Sequence, residues 1–185
     1  MIILTGPSAS GKTATCVYLQ EHYGIKKVVT HTTRKKRENE VDGVDYHFVS
    51  KEKFQQMIDN NEFIEHVFYN DNNYGTSKKE VKLDKCCTLE LNGAKTYASL
   101  NDPNIVIFYL YCDEKLRTER MHQRGDEKDK IKSRLENDHS AFVVNDEVKK
   151  IFDYSIDTSK YSLEEVSNMV YDKYIEILKK RNISL

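Results

Sequence analysis

Apolar residues along this chain follow two rhythms. Unbroken runs at Ile2-Ile3-Leu4, Val28-Val29 and Ile105-Val106-Ile107-Phe108-Tyr109-Leu110 lack the alternation of a half-exposed strand, so they predict strands buried on both faces. Leu163, Val166, Val170, Tyr174 and Ile177 instead recur at three- and four-residue steps and predict a terminal helix with one buried stripe. Ser162 with Glu165 three residues on predicts a capping box at its start. Asp113 is placed to cap a further helix that carries Leu116 and Met121 and stops at Gly125. Such alternation predicts an α/β fold, a parallel sheet flanked by helices.

Two segments break the rhythm: a polar, aromatic-rich block at about 31–82 and a charged stretch at about 117–149. No repeat, low-complexity tract or linker separates them from the rest, and 185 residues suffice for one well-buried core. The expectation is a single domain over 1–185, with core segments 1–30, 83–116 and 150–185 and two insertions that move relative to one sheet.

Charge sharpens this picture by exclusion. Twenty-nine basic residues offset 30 acidic ones, a net charge of -1, so no global field draws in nucleic acid or a membrane, and anion binding has to be local. Cys16, Cys86, Cys87 and Cys112 show no C-x-x-C spacing, the His residues no ligand spacing, and no signal-like or membrane-length apolar run exists. These features predict a reduced, cytoplasmic setting, with Cys and His serving as packing or surface residues.

Local anion chemistry is present directly after the first apolar run. Gly6-Pro7-Ser8-Ala9-Ser10-Gly11-Lys12-Thr13 reads G-x-x-x-x-G-K-[ST] between a predicted strand and a predicted helix. Its glycines let the backbone close around phosphates, with N–H groups pointing inward at a helix N-terminus. Lys12 then reaches the terminal phosphates of a nucleoside triphosphate, and Thr13 offers a hydroxyl to the Mg²⁺ that accompanies the nucleotide. In the first insertion, Arg34 and Arg37 near Tyr46 offer guanidinium and phenol donors to a dianionic phosphate. Arg34-Lys35-Lys36-Arg37 read alone is equally a solvated basic loop.

The block from His31-Thr32-Thr33-Arg34 through Asp42-Gly43-Val44-Asp45-Tyr46-His47-Phe48 resembles the signature of guanylate kinases, as do Asn61-Glu62-Phe63-Ile64-Glu65 and Asn73-Tyr74-Gly75-Thr76-Ser77. With the phosphate loop ahead and the Arg-rich stretch behind, the resemblance covers nearly the whole chain. It implies a nucleoside-monophosphate kinase fold of the phosphate-loop class, a GMP-binding insert at 31–82, a lid at 117–149, and transfer of the γ-phosphoryl of ATP to GMP. Residue by residue it implies that Arg34, Arg37, Tyr46 and Tyr74 hold the GMP phosphate, and that Glu65 and Glu90 read the guanine while Thr30 and Thr76 face its O6. Arg120, Arg124 and Arg134 fall at the lid arginines, with Lys12, Arg34, Arg124 and Arg134 closest to the transferred group and Arg120 and Arg124 on ATP. Guanine presents N1–H and an amino group side by side, two donors that a carboxylate accepts together and that adenine lacks.

Several positions depart from the family pattern. Ala9 replaces a glycine, an exchange tolerated if that residue avoids a left-handed backbone. Lys36 and Asn39 replace Pro and Gly, Thr158 an Asn, and Thr88 an acidic residue near the metal, while the segment between Tyr74 and Glu90 is shortened. Two other functions stay open: a guanylate-kinase-like binding module without catalysis, and a kinase of another phosphorylated acceptor such as dGMP. The expected protein is a monomer or homodimer with ATP, Mg²⁺ and GMP or dGMP as its ligands.

Overall fold

The computed structural model describes residues 1–69 and 71–184, with the side chain of Tyr69 left aside. Its first strand, β1 (Ile2–Thr5), is fully buried, as an apolar run in the middle of a sheet has to be. Next come α1 (Lys12–Tyr23), β2 (Lys26–Lys27), β3 (His31–Thr32), β4 (His47–Phe48), α2 (Lys51–Asp59), β5 (Phe63–Tyr69) and β6 (Asn72–Ser77). A 3-10 turn (Lys78–Glu80) leads to β7 (Lys85–Leu89), α3 (Leu91–Ser99) and β8 (Val106–Tyr111). The chain ends with α4 (Glu114–Gln123), α5 (Lys128–Ala141), α6 (Asp146–Lys149), β9 (Tyr154–Asp157) and α7 (Leu163–Lys180).

Five strands form one parallel sheet in the order β2-β7-β1-β8-β9. Alternation within β1 and β8 divides the core. Ile2, Leu4, Val106, Phe108 and Leu110 face α1 and α7, where Leu19, Val166, Val170 and Tyr174 cover them. Ile3 and Ile107 face α3 and pack on Ala94 and Tyr97. Each fully buried aliphatic side chain here contributes about 1.5–3 kcal/mol. The capping box of Ser162 and Glu165 is present at α7, and the Asp113 side chain accepts from Leu116 N at 2.7 Å to cap α4.

Four strands of the first insertion make a second sheet in the order β4-β3-β6-β5, with α2 packing Phe54 and Met57 against Phe63. Gly75 in β6 allows this closeness, since a Cβ there would lie 2.9 Å from the Phe63 ring.

One expectation needs correction. The strand expected at Val28-Val29 is instead β2 at Lys26–Lys27, whose residues are exposed. Val28 N still donates to Cys86 O at 2.9 Å, but Val29 N turns to the Glu80 carboxylate at 3.0 Å and the ladder ends. Arg117, at the start of the charged stretch, is only 5% exposed on α4. Gly125, with φ of 84°, follows the end of that helix, where the sequence expected it to stop. No helix among the described residues is long and apolar enough to cross a membrane.

Candidate active site

The phosphate loop runs from the end of β1 to the start of α1, above the C-terminal edge of the parallel sheet. Gly6 has φ of 146°, and a Cβ there would sit 1.9 Å from Leu110 O, so only glycine fits. Ala9 adopts φ of 59°, the left-handed conformation that tolerance of this exchange required it to avoid. The strain costs about 1–2 kcal/mol. Gly11 is the N-cap of α1 with no side-chain capping bond, which leaves the first-turn amides open to an anion. Thr13 is exposed in that turn, and the buried Ser10 hydroxyl has no partner among the described residues.

Lys12 folds back over the loop, its Nζ donating to Gly6 O at 2.6 Å and Pro7 O at 2.8 Å. Burial lowers its pKa to about 8, against the opposing pull of the Asp138 and Glu90 carboxylates, while Arg117 lowers it further.

Lys12, Thr13 and Ala14 share a cleft of about 400 Å³ with Arg120 and Arg124. A second pocket of about 200 Å³ adjoins it, walled by Ala14, Thr15, Arg120, Thr158, Tyr161 and Val166. Arg120 lies between the phosphate loop and Thr158. It donates to Ala9 O at 3.2 Å, Thr158 Oγ1 at 3.1 Å and Thr158 O at 3.0 Å, while the Thr158 hydroxyl donates to Ser10 O at 3.1 Å. Arg120 therefore braces the phosphate loop from behind. Arg124 and Arg134 are half-exposed and share one anion, Asp126 Oδ2, at 2.5 Å and 3.5 Å.

On the insert, Arg34 lies against the Tyr46 and Phe48 rings, 5.4 Å and 5.7 Å from their centres, and the Tyr46 and Tyr74 rings meet edge to face at 6.1 Å. Glu40 holds the Arg34 guanidinium at 2.5 Å. That carboxylate, and more weakly the Tyr74 hydroxyl, raises the Arg34 pKa. Arg37 is exposed and gives its backbone N–H to Glu40 at 2.8 Å. Glu65 and Thr76 are register partners on β5 and β6, and the buried Thr76 hydroxyl donates to Glu65 Oε1 at 3.1 Å. Thr30 sits at the entry to β3, its carbonyl accepting from His47 N at 2.9 Å.

Glu90 lies between β7 and α3. It is the exposed N-cap of α3, and its charge acts on Lys12. Thr88 pairs with Leu4 near the C-terminal end of β7, on the strand beside the phosphate loop's own.

The family profile described as guanylate kinase matches residues 1–173. The chain belongs to the guanylate kinase family. Among its guanylate kinase relatives, that of Clostridioides difficile (strain 630) is 33% identical over 96% of this chain and 97% of its own. That of Onion yellows phytoplasma (strain OY-M) is 33% identical over 83% and 81%. The crystal structure of guanylate kinase from Anaplasma phagocytophilum superposes with a TM-score of 0.60 at 22% identity, covering 95% of this chain and 84% of that one, a likeness of fold.

Four residues of this guanylate kinase family member escaped the sequence reading. Glu40 occupies Arg34, and its only signal was an acidic residue within a basic loop. Glu80, buried on the 3-10 turn, accepts from Val29 N and meets Lys85 at 3.2 Å, which ties the insert to β7. Arg117 and Asp138 form a buried pair at 2.5 Å beneath the phosphate loop. Twenty-one positions separate them, so no local periodicity announces the contact.

Proposed function

We propose that this chain is an ATP-dependent guanylate kinase, transferring the γ-phosphoryl group of ATP to GMP and releasing ADP and GDP. The observation that carries this is the coexistence of two unlike anion sites. One is the uncapped N-terminus of α1 with Lys12; the other is Arg34 against Tyr46 and Tyr74, beside the Glu65–Thr76 pair. Retention of Lys12, Thr13 and all three lid-region arginines favours catalysis over a binding module of the same fold.

In this assignment Gly6 to Thr13 enfold the donor phosphates, and the pocket beside Thr158 and Tyr161 receives the adenine. Arg34, Arg37, Tyr46 and Tyr74 hold the acceptor phosphate, which displaces Glu40 from Arg34. Glu65 accepts from guanine N1–H and the amino group, while Thr30, and Thr76 once its hydroxyl turns from Glu65, donate to O6. Glu90, near Lys12, orients that ammonium between the two phosphates. Arg124 and Arg134 leave Asp126 for the transferring group, where positive charge offsets the load on its equatorial oxygens. No general base is required, because a phosphate oxygen of GMP is a competent nucleophile once aligned.

Mg²⁺ carried by the triphosphate neutralises part of its charge. Thr13 is the residue that fits it. No group of three or more His, Cys, Asp or Glu among the described residues would cage an ion alone, in keeping with one held chiefly by phosphates. dGMP presents the same base and phosphate to these residues and is the alternative acceptor. Four free cysteines, two of them buried, suit a reduced cytoplasmic setting. Chromatography of a reaction containing ATP, Mg²⁺ and GMP tests the proposal. Equimolar ADP and GDP are expected, and ADP without GDP would refute transfer.

A further inference from the structure

Asp138 lies where three elements converge. Its carboxylate accepts from Ser8 N at 2.9 Å and the Ser8 hydroxyl at 3.1 Å, and from Arg117 on α4 at 2.5 Å. Arg117 also reaches Ser8 O at 3.4 Å, so the N–H and C=O of one phosphate-loop residue are tied, one to α5 and the other to α4. Such burial is unusual for these residue types: Arg117 is 5% and Asp138 8% exposed.

The pair is not the arrangement that stability alone would select. Desolvating two charges offsets much of their attraction, and Arg117 Nε has no partner among the described residues. Its geometry is more telling. Of the fourteen residues of α5, only Ile131 and Asp138 are buried. The other polar ties of the helix, His139 to Glu114 and Arg134 to Asp126, are exposed and therefore weak. Asp138 follows Arg134 by four positions, on the same face of the helix. What fixes Asp138 thus fixes the root from which Arg134 reaches.

We propose that Asp138 is a positioning residue for phosphoryl transfer: through Ser8 and Arg117 it pins helix α5 to the phosphate loop, so that Arg134 and the donor phosphates keep one register. The inference rests on the guanylate kinase assignment, because Arg134 matters only if a phosphoryl group passes beneath it. In-line transfer is sensitive to such placement, and a displacement near 1 Å costs up to about 100-fold in rate. The linkage also makes the loop and the helix move as one body.

The test uses the full chain with ATP, Mg²⁺ and GMP. Asp138→Asn is expected to lower kcat roughly 10- to 100-fold with the KM for GMP unchanged within about twofold. Asp138→Glu should recover part of the loss. Removing both charges in Arg117→Leu/Asp138→Leu leaves no unpaired buried ion, so this variant should melt no lower than the parent and still lose kcat. In an Arg134→Ala background, Asp138→Asn should add less than about twofold, since it acts through that arginine. Parental kcat in folded Asp138→Asn, or full additivity with Arg134→Ala, would reduce the pair to a structural brace and overturn the proposal. A parent inactive on GMP would instead refute the kinase assignment. Amide exchange then still decides, because Asp138→Asn should raise exchange in the Ser8 segment and in α5 together. Loosening of α5 alone would contradict the linkage.

Discussion

Thr76 donates to Glu65 across the β5–β6 register, at 3.1 Å, so that the hydroxyl and the carboxylate proposed to read the base are already paired. The carboxylate keeps a second oxygen and further lone pairs as acceptors, which favours a purine carrying two adjacent donors. Glu65→Gln keeps the shape, removes the charge and turns an acceptor into a donor. It should lower kcat/KM for GMP about 100-fold while changing the KM for ATP less than about twofold, as expected when a charge-assisted pair is replaced by a mismatched one. Steady-state kinetics with each substrate varied in turn checks this. Equal effects on both substrates would make Glu65 a structural residue of the hairpin.

Lys12 makes ATP binding depend on pH. Burial sets its pKa at about 8 in place of 10.5, with Asp138, Glu90 and Arg117 as the charged neighbours. Donor phosphates favour the ammonium, so binding above pH 8 takes up a proton and weakens as pH rises. Calorimetry at pH 8.5 in buffers of different ionisation enthalpy should show this uptake, and at pH 6.5 almost none. The sign for stability is opposite. Below about pH 8 both folded and unfolded chains carry the charge, and the folded chain bears its burial; between about 8 and 10.5 it sheds the proton first and gains stability relative to the unfolded chain.

Two loop positions separate strain from fit. Ala9 holds φ of 59° with a Cβ, so Ala9→Gly relieves about 1–2 kcal/mol of strain and gives back about 0.5–1 kcal/mol as unfolded-chain entropy. The net gain should raise Tm by no more than about 6 °C. Gly6→Ala places a methyl group 1.9 Å from Leu110 O, which only a backbone shift relieves. A loss of more than about 3 kcal/mol is expected, together with loss of ATP binding. Thermal denaturation of both variants beside the parent checks the opposite signs.

Much of the frame could be read from the chain because central strands and a one-sided helix leave strong patterns. β1 and β8 are buried on both faces and appear as unbroken apolar runs, and α7 shows its stripe and capping box. β2 was misplaced by two residues for a physical reason. Apolar content reports burial, whereas strand pairing is made by backbone groups, here those of two exposed lysines. β3 and β4, two residues each, are too short for any period to show.

Site residues divided the same way. The phosphate loop is contiguous, so its spacing alone identified it, and Arg34, Tyr46 and Tyr74 came through a resemblance of motifs. Glu40 and Asp138 were missed because their roles arise only when the fold sets a carboxylate against a distant arginine or loop amide. Arg120 already spends donors on Ala9 and Thr158, contacts that no sequence spacing announces. Spacing identifies which residue occupies a position without identifying what has already claimed its donors.

Release of ADP by the folded chain, with ATP and Mg²⁺ fixed and the acceptor varied over GMP, dGMP, AMP, CMP, UMP and none, tests the central claim most directly. Turnover with GMP and dGMP, and only background with the other acceptors, is the predicted result. Background turnover with every acceptor, or equal turnover with AMP and GMP, would contradict it.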